Sequence, residues 1–223
     1  MNLYKLLQSL DELLFEVMGW LLFYPITLWS VLRHPIATAA IAEREAGAAG
    51  EGRYDDMLSP PLFLLLTLIL SHGVELTLFG ESPLVADTDG LAVLVSDNGS
   101  LLLFRLFAFS IFPVITAGWL LRWQGGKITR GALERPFFAQ CYLAAPYALV
   151  SSIAALVARG DHSRAALLIE VAAMAVYLWI QSAWFARHLQ IGRWRALIPA
   201  VTAYIICLVA LTLLATLMGA NGR

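Results

Sequence analysis

A histidine and a glutamate stand three residues apart in an otherwise apolar run, LILSHGVELTLFG, at residues 68–80. On a helix, side chains three positions apart lie on nearly the same face, so His72 and Glu75 can act together. An imidazole beside a carboxylate can accept a proton, and the two groups can also bind a polar headgroup. Arg105 and Glu170 are ionisable residues in similarly apolar surroundings. These four side chains form the candidate polar site.

Two carboxylates and one guanidinium at similar depth can offset the cost of placing charges in lipid. A single charge at the bilayer centre costs roughly 2.5–3.5 kcal/mol on the insertion scale. Arg105 can bind one carboxylate through two parallel hydrogen bonds. The second carboxylate then shares that arginine, pairs with His72 as an imidazolium, or stays protonated. A structural ion pair, or side chains that extend to the interface, would explain the same residues without a functional site.

The composition indicates that lipid is the solvent for much of the chain. Of its 223 residues, 60% are hydrophobic and 14% are charged, whereas a soluble domain has roughly 45–50% and about 25%. Five segments reach the approximately 20 apolar residues that a membrane-spanning helix needs. They are residues 61–80, 101–121, 137–158, 165–186 and 196–218. We therefore predict an all-α polytopic bundle of five transmembrane helices over residues 58–223.

The distribution of basic residues predicts the orientation. Most of the 15 Lys and Arg residues lie in the N-terminal region and in the loops at 122–136 and 187–195. Basic loops stay in the cytoplasm, so the N-terminus is predicted to be cytoplasmic and the C-terminus outside. The loop at 81–100 is acidic and is predicted to lie outside, which places the four site residues in the outer half. Hydroxyl residues predicted in the same layer are Ser151, Ser152, Thr212 and Thr216.

Residues 1–57 are predicted to form a cytoplasmic and interfacial region. Polar and apolar residues alternate at helical spacing over the first 17 positions, which is typical of an amphipathic helix lying in the membrane interface. Residues 17–32 are apolar, but Pro25 interrupts them. A sixth span there stays open as the less favoured alternative. The polar, glycine-bearing stretch at 41–56 is predicted to be a linker.

Several polar and aromatic residues have simpler structural interpretations. Gln140 and Gln181 are predicted near the cytoplasmic ends of two spans, where they can hydrogen-bond between helices. Tyr142, Pro146 and Tyr147 are predicted to shape a kinked helix and an interface anchor rather than a ligand pocket.

Other classes of protein are disfavoured. A net charge of −1 without a basic stripe argues against a nucleic-acid partner. Cys141 and Cys207 lie in apolar runs and are predicted to be small apolar core residues. No metal-ligand spacing or phosphate loop is present, so we predict neither a metal nor a cofactor. Ser71 or Ser151 beside His72 is a weak basis for nucleophilic catalysis, and we predict that the protein is not an enzyme.

Three stretches together resemble the Yip1 domain family. LLFYPITLWSVLRHP at 21–35 is similar to the proline- and aromatic-bearing entry of bacterial members, and YDDMLSPPLFLLL at 54–66 is similar to the opening of the family's first span. QCYLAAPYALV at 140–150 is similar to the G-Y-S-L-x-P-Y motif of the third span, with Cys141 in place of the glycine. The resemblance implies five spans, a cytoplasmic N-terminus and, for bacterial members, the cytoplasmic (inner) membrane.

Two functions follow as predictions. The first is a permease-like or lipid- or solute-handling membrane protein that binds a polar or amphiphilic solute in its outer polar layer, alone or as a homo-oligomer. The second is a non-transporting scaffold that organises membrane-protein partners or shapes the bilayer through residues 1–57. The family resemblance implies architecture more directly than activity, because one fold can carry many functions.

Overall fold

The computed structural model describes residues 3–47, 54, 56–80, 98–160 and 162–219. These residues form an all-helical bundle. The helices are α1 (Leu3–Arg33), α2 (Pro35–Ala46), α3 (Pro60–Phe79), α4 (Asn98–Trp123), α5 (Arg130–Arg159), α6 (Ser163–Leu189) and α7 (Arg193–Gly219).

Each of the five predicted spans corresponds to one helix, α3 to α7. Four of them lie wholly within their helix, and the first, at 61–80, extends one residue beyond the end of α3. Within the described residues, six helices are long and apolar enough to cross a membrane, and the additional one is Leu14–Arg33 of α1. The prediction of a helical bundle with the composition of an integral membrane protein is confirmed. The count of five spans is not confirmed, because α1 also meets the requirements of length and composition.

Helix α5 is the centre of the bundle, and α2, α3, α4 and α6 all pack against it. It begins earlier than the predicted span, at Arg130, because the Thr129 side chain accepts a hydrogen bond from the Ala132 amide at 3.3 Å and caps the helix. Pro136 therefore lies inside the helix rather than at its start. Helix α7 closes the bundle on the other side, against α4 and α6.

The chain bends sharply between α1 and α2. Pro35 begins α2, where its missing amide proton costs nothing, and the bend brings the Ser30 hydroxyl within 3.1 Å of the Thr38 hydroxyl. Thr38, Ala39, Ala42 and Ala46 are buried in the bundle. Residues 41–46 were expected in a polar linker. That expectation is wrong for them, because small side chains at helical spacing let α2 pack closely on α5.

The exposed surface of α1 from Leu14 onward is mostly apolar, although Glu16 is also exposed. Residues 1–13 carry much of the predicted amphipathic pattern. Their side chains lie outside the described part of the structure, which gives only the helical backbone from Leu3. Farther along, one face packs on the bundle through Tyr24, Thr27 and Val31. The other face exposes large apolar side chains, namely Leu14, Phe15, Val17, Met18, Leu21, Leu22, Ile26 and Trp29. The predicted interfacial helix is therefore not confirmed.

Candidate functional site

Helices α3 and α4 both pack on α5 but contact each other only weakly. The gap between them opens toward the end of the bundle where α3 stops at Gly80, whose positive φ of 71° suits a residue without a side chain. We call this the Glu75 end. The sequence-based orientation predicts that it is the non-cytoplasmic end.

Glu75 joins α3, α4 and α5 through its two carboxylate oxygens. Oε2 lies 2.5 Å from Nη1 of Arg105 on α4, and Oε1 lies 2.7 Å from Nη1 of Arg159 at the end of α5. The Glu75 side chain is only 13% exposed. The predicted proximity of Glu75 and Arg105 is therefore present. The parallel two-bond pairing is not, because a second arginine takes the other oxygen.

His72 is the third predicted residue in this cluster. Its Nδ1 atom lies 3.3 Å from Nη1 of Arg105 and 4.0 Å from Oε2 of Glu75. A guanidinium has no acceptor, so in this contact Arg105 donates and the Nδ1 atom of His72 accepts.

Arg159 is the functional candidate that the sequence analysis missed. Its position at the end of a predicted span suggested a loop residue that only sets the topology. On α5, however, Ser151, Ala155 and Arg159 follow one another at four-residue spacing and share one face. The guanidinium also lies 4.9 Å from the ring centroid of Phe79, which holds it over the end of α3. The same-face spacing with Ser151 was the signal available in the sequence.

The cluster lines a cavity of about 200 Å³ between α3, α4 and α5. Its polar wall is formed by Ser71, Glu75, Arg105, Ser151, Ser152 and Arg159. Leu68, Phe109 and Leu156 form much of the apolar wall. A site that combines a few charged groups with apolar surface is suited to an amphiphilic ligand. The ion pairs thus border a space large enough for part of a ligand.

Each of the three serines in this wall already donates a hydrogen bond from its hydroxyl group. Ser71 donates to the Thr67 carbonyl at 2.8 Å, and Ser152 donates to the Ala148 carbonyl at 2.8 Å. Ser151 donates to Oε1 of Glu170 at 3.2 Å. Because each hydroxyl has one proton, these oxygens offer only lone pairs to a ligand in the cavity.

Glu170 lies apart from the cluster, although the sequence analysis grouped it with Arg105. Its Oε1 atom accepts hydrogen bonds from the hydroxyls of Tyr147 at 2.8 Å and Ser151 at 3.2 Å. The Tyr147 hydroxyl also lies 2.7 Å from that of Tyr204 on α7. No ion pair joins Glu170 to a described residue. Hydroxyl groups therefore hold this carboxylate, and Ser151 marks the boundary between it and the cavity.

Helix α7 contributes fewer side chains to the predicted polar layer than expected. Thr212 and Thr216 are exposed and donate back to their own helix, to the carbonyls of Val209 and Leu213. Tyr204 provides the polar contact from α7 instead. Threonines often satisfy their hydroxyls in this way inside a helix, so their depth alone did not place them in the site.

A second, larger cavity lies between the α1–α2 bend, α5 and α6. Its volume is about 400 Å³, and its walls include Val31, Leu143, Pro146, Tyr147 and Ile180. It has no charged lining residue. Convergent polar groups are what fix the orientation of a ligand, so the smaller, charged cavity is the better candidate site.

The remaining polar predictions have clear outcomes. Gln140 and Gln181 are fully buried and exchange two amide hydrogen bonds, of 3.1 and 2.6 Å, so the predicted contact between helices is confirmed. Tyr142 does not anchor the protein at an interface, because it is fully buried and its hydroxyl donates to the Leu58 carbonyl at 2.5 Å. Cys141 and Cys207 are buried and free, as predicted.

Comparison with known proteins finds no matching family model, no similar curated protein and no similar solved structure.

Proposed function

We propose that this protein is a permease-like or lipid- or solute-handling membrane protein of the Yip1 type that binds a polar or amphiphilic molecule at the Glu75 end. One observation carries the proposal: Glu75, Arg105 and Arg159 border a cavity instead of meeting in a dry interface between helices. Membrane lipids and a second copy of the chain remain its proposed partners.

The size of the cavity limits what enters it. Pockets that enclose a drug-sized molecule have volumes of roughly 300–1,000 Å³, and this cavity has about 200 Å³. It therefore accommodates a small solute or the polar part of a larger amphiphile. The rest of such an amphiphile would extend toward the lipid.

The proposed location is a cytoplasmic membrane of bacterial type. The basic loops at 122–136 and 187–195 support a cytoplasmic position for the end of the bundle that lies opposite the Glu75 end. With α3 to α7 as spans, the C-terminus is outside whether α1 spans or lies at the interface. Only the side of the N-terminus distinguishes the arrangements with five and six spans.

A cavity-filling substitution tests the proposal. Ala155→Trp places a large side chain in the cavity, because Ala155 lines it. The matched control is Ala158→Trp, on the same helix but outside the lining residues. We expect Ala155→Trp to lose most of the bound lipid or solute seen by native mass spectrometry of the purified protein, and Ala158→Trp to retain it.

Three of the four predicted site residues provide a second comparison. Glu75→Gln and Arg105→Ala should change binding, whereas Glu170→Gln, which removes a carboxylate outside the cavity lining, should change it little. If binding is the same in all of these folded variants and in Ala155→Trp, the cavity is not a binding site.

A scaffold that organises protein partners is the second proposal. The large apolar surface that α1 exposes favours it. Removal of residues 1–57 would also remove the buried helix α2, so the sharper test is removal of residues 1–19, which precede the packed part of α1. A scaffold acting through residues 1–19 of α1 should lose its co-purifying partners in this truncated form. The same partners in both forms would exclude that role for residues 1–19.

A further inference from the structure

We propose that the ligand at the Glu75 end carries an anionic oxygen group, a phosphate or a carboxylate, which Arg105 and Arg159 bind together. This inference rests on the proposed binding function and specifies its ligand class. The polar group would occupy the charged wall of the cavity, and its apolar continuation would lie against Phe109 and Leu156.

The charges around the cavity do not balance. Two guanidinium groups, those of Arg105 and Arg159, face one carboxylate, Glu75. Glu170 is not a lining residue, and its carboxylate lies behind Ser151, which donates a hydrogen bond to it. Within the described residues, the cavity wall therefore carries one excess positive charge. An uncompensated charge in a poorly solvated region favours binding of an opposite charge.

Both arginines have hydrogen-bond donors left over. A guanidinium has five N–H groups in a planar fork. Arg105 and Arg159 each contact Glu75 through Nη1 alone, and Arg105 uses the same atom for His72. In the described part of the chain, Nε and Nη2 of these two residues form no further hydrogen bond. Planar pairs of N–H donors of this kind match the oxygens of a phosphate or carboxylate.

The serines complement this arrangement. The hydroxyl groups of Ser71, Ser151 and Ser152 donate their hydrogen bonds to other protein atoms, so only their oxygen lone pairs are left for the ligand. An anionic group therefore finds its donors on the arginines. Any hydroxyl groups next to it in the ligand can donate to the serines. A phosphate ester bearing free hydroxyls fits both walls.

The test compares ligands that differ in headgroup charge. Short-chain phosphatidylglycerol, short-chain phosphatidylcholine and inorganic phosphate are each titrated against the full purified chain, with native mass spectrometry as the readout. We expect phosphatidylglycerol to bind at least about tenfold more tightly than phosphatidylcholine, because both carry the phosphodiester but only phosphatidylcholine adds a cation, which the excess positive charge of the cavity wall repels. Binding of inorganic phosphate at the same arginines would identify a soluble anion as the source of the group. Binding of phosphatidylglycerol alone would identify a lipid.

Four substitutions make the inference specific. Arg159→Gln should lower the affinity for phosphatidylglycerol about tenfold or more and should narrow the difference in affinity between phosphatidylglycerol and phosphatidylcholine. Arg164→Gln is the matched control, since Arg164 is exposed near the same end of the bundle and does not line the cavity. Arg105→Lys keeps the charge but removes the planar fork, and it should weaken binding. Glu75→Gln removes the competing carboxylate and should strengthen binding of the anion.

The opposite results overturn the inference. Equal affinities for phosphatidylglycerol and phosphatidylcholine, or weaker binding of the anionic lipid by folded Glu75→Gln, would show that the excess charge does not select the ligand. The proposed function would survive these results if Ala155→Trp still abolished binding of either lipid. It would fail, together with the inference, only if no ligand responded to the filled cavity.

Discussion

Glu75 shows how one residue can stabilise an end of the bundle and still leave room for a ligand. Its two oxygens are divided between Arg105 and Arg159, so a single carboxylate connects α3, α4 and α5. In a poorly solvated site, removal of one member of such a cluster leaves the other charges uncompensated. The same side chain also competes with an external anion for both guanidiniums. The effects of Glu75→Gln on stability and on anion binding should therefore have opposite signs.

This sign difference is a prediction at the scale of the residue. Glu75→Gln should lower the thermal unfolding temperature of the detergent-solubilised protein and raise its affinity for phosphatidylglycerol. Arg164→Gln, a charge change outside the cluster, should leave both quantities within error. A loss of both stability and anion affinity in folded Glu75→Gln would contradict competition between Glu75 and the ligand and, with it, the inference that the excess positive charge selects an anion.

The Gln140–Gln181 pair gives a second prediction at this scale. Both amides are fully buried and bind each other twice. Gln140→Leu leaves the partner amide unsatisfied and should cost about 1–3 kcal/mol in the free energy of unfolding. The double change Gln140→Leu with Gln181→Leu removes both polar groups, so its cost should be smaller than the sum of the single costs. Additive costs, measured by reversible unfolding in detergent, would contradict a direct coupling.

At the scale of the element, α1 differs most from its predicted role. An interfacial helix needs a polar face toward water. Between Leu14 and Trp29, α1 instead has one face packed on the bundle and another that exposes large apolar side chains. A helix whose exposed surface is mostly apolar, here with Glu16 as an exposed acidic residue near one end, is accommodated better in lipid than in water. This property favours α1 as a sixth span.

The side of the N-terminus tests that preference. A short epitope placed before residue 1 should be accessible outside intact cells if α1 spans the membrane, and only after permeabilisation if α1 lies in the cytoplasmic interface. An epitope after residue 223 should be accessible outside in both cases and serves as the control. Accessibility of the N-terminal epitope only in permeabilised cells would restore the arrangement with five spans.

The segment between α3 and α4 permits another test at this scale. Residues 81–97 lie outside the described part of the chain, and their sequence contains four acidic residues, Glu81, Asp87, Asp89 and Asp97. Negative charges next to a positively charged site reduce the local concentration of anions. Substitution of all four by the corresponding amides should therefore increase the association rate of phosphatidylglycerol. An unchanged rate at low salt would show that this segment does not influence the site electrostatically.

At the scale of the whole molecule, the two ends of the bundle have different chemistry. The Glu75 end contains ion pairs beside a cavity, whereas Gln140, Gln181, Trp184 and Phe185 are fully buried on α5 and α6 toward the opposite end. The buried helix α2 packs there as well, through Ala39. A rigid, well-packed end opposite an open one is consistent with binding from one side of the membrane.

Cysteine labelling tests this polarity. Cys141 and Cys207 are buried, so the native thiols should react little with a membrane-impermeant reagent. A single cysteine within 81–97 should be labelled in intact cells, and one within 124–129 should be labelled only after permeabilisation. Equal accessibility of the two positions would refute the topology and, with it, the proposed outer location of the Glu75 end.

The sequence alone determined which segments become apolar helices and which ionisable residues they carry. Length and composition suffice for this, because a chain in lipid must satisfy its backbone within each helix. For the same reason, α3 to α7 were predictable to within a few residues over most of their ends. The sequence also predicted that Arg105 binds one of two carboxylates at similar depth, but it did not specify whether that carboxylate is Glu75 or Glu170.

Only the tertiary structure decided which side chains at that depth meet. Depth fixes one coordinate, but contact also depends on the rotation of each helix and on which helices are neighbours. Rotation brings Arg159 to Glu75 and turns Glu170 toward Tyr147. Residues 41–46, which were predicted to belong to a polar linker, likewise form part of the buried helix α2 because α2 packs on α5. Both outcomes depend on contacts between residues far apart in the chain, which local patterns in the sequence do not specify.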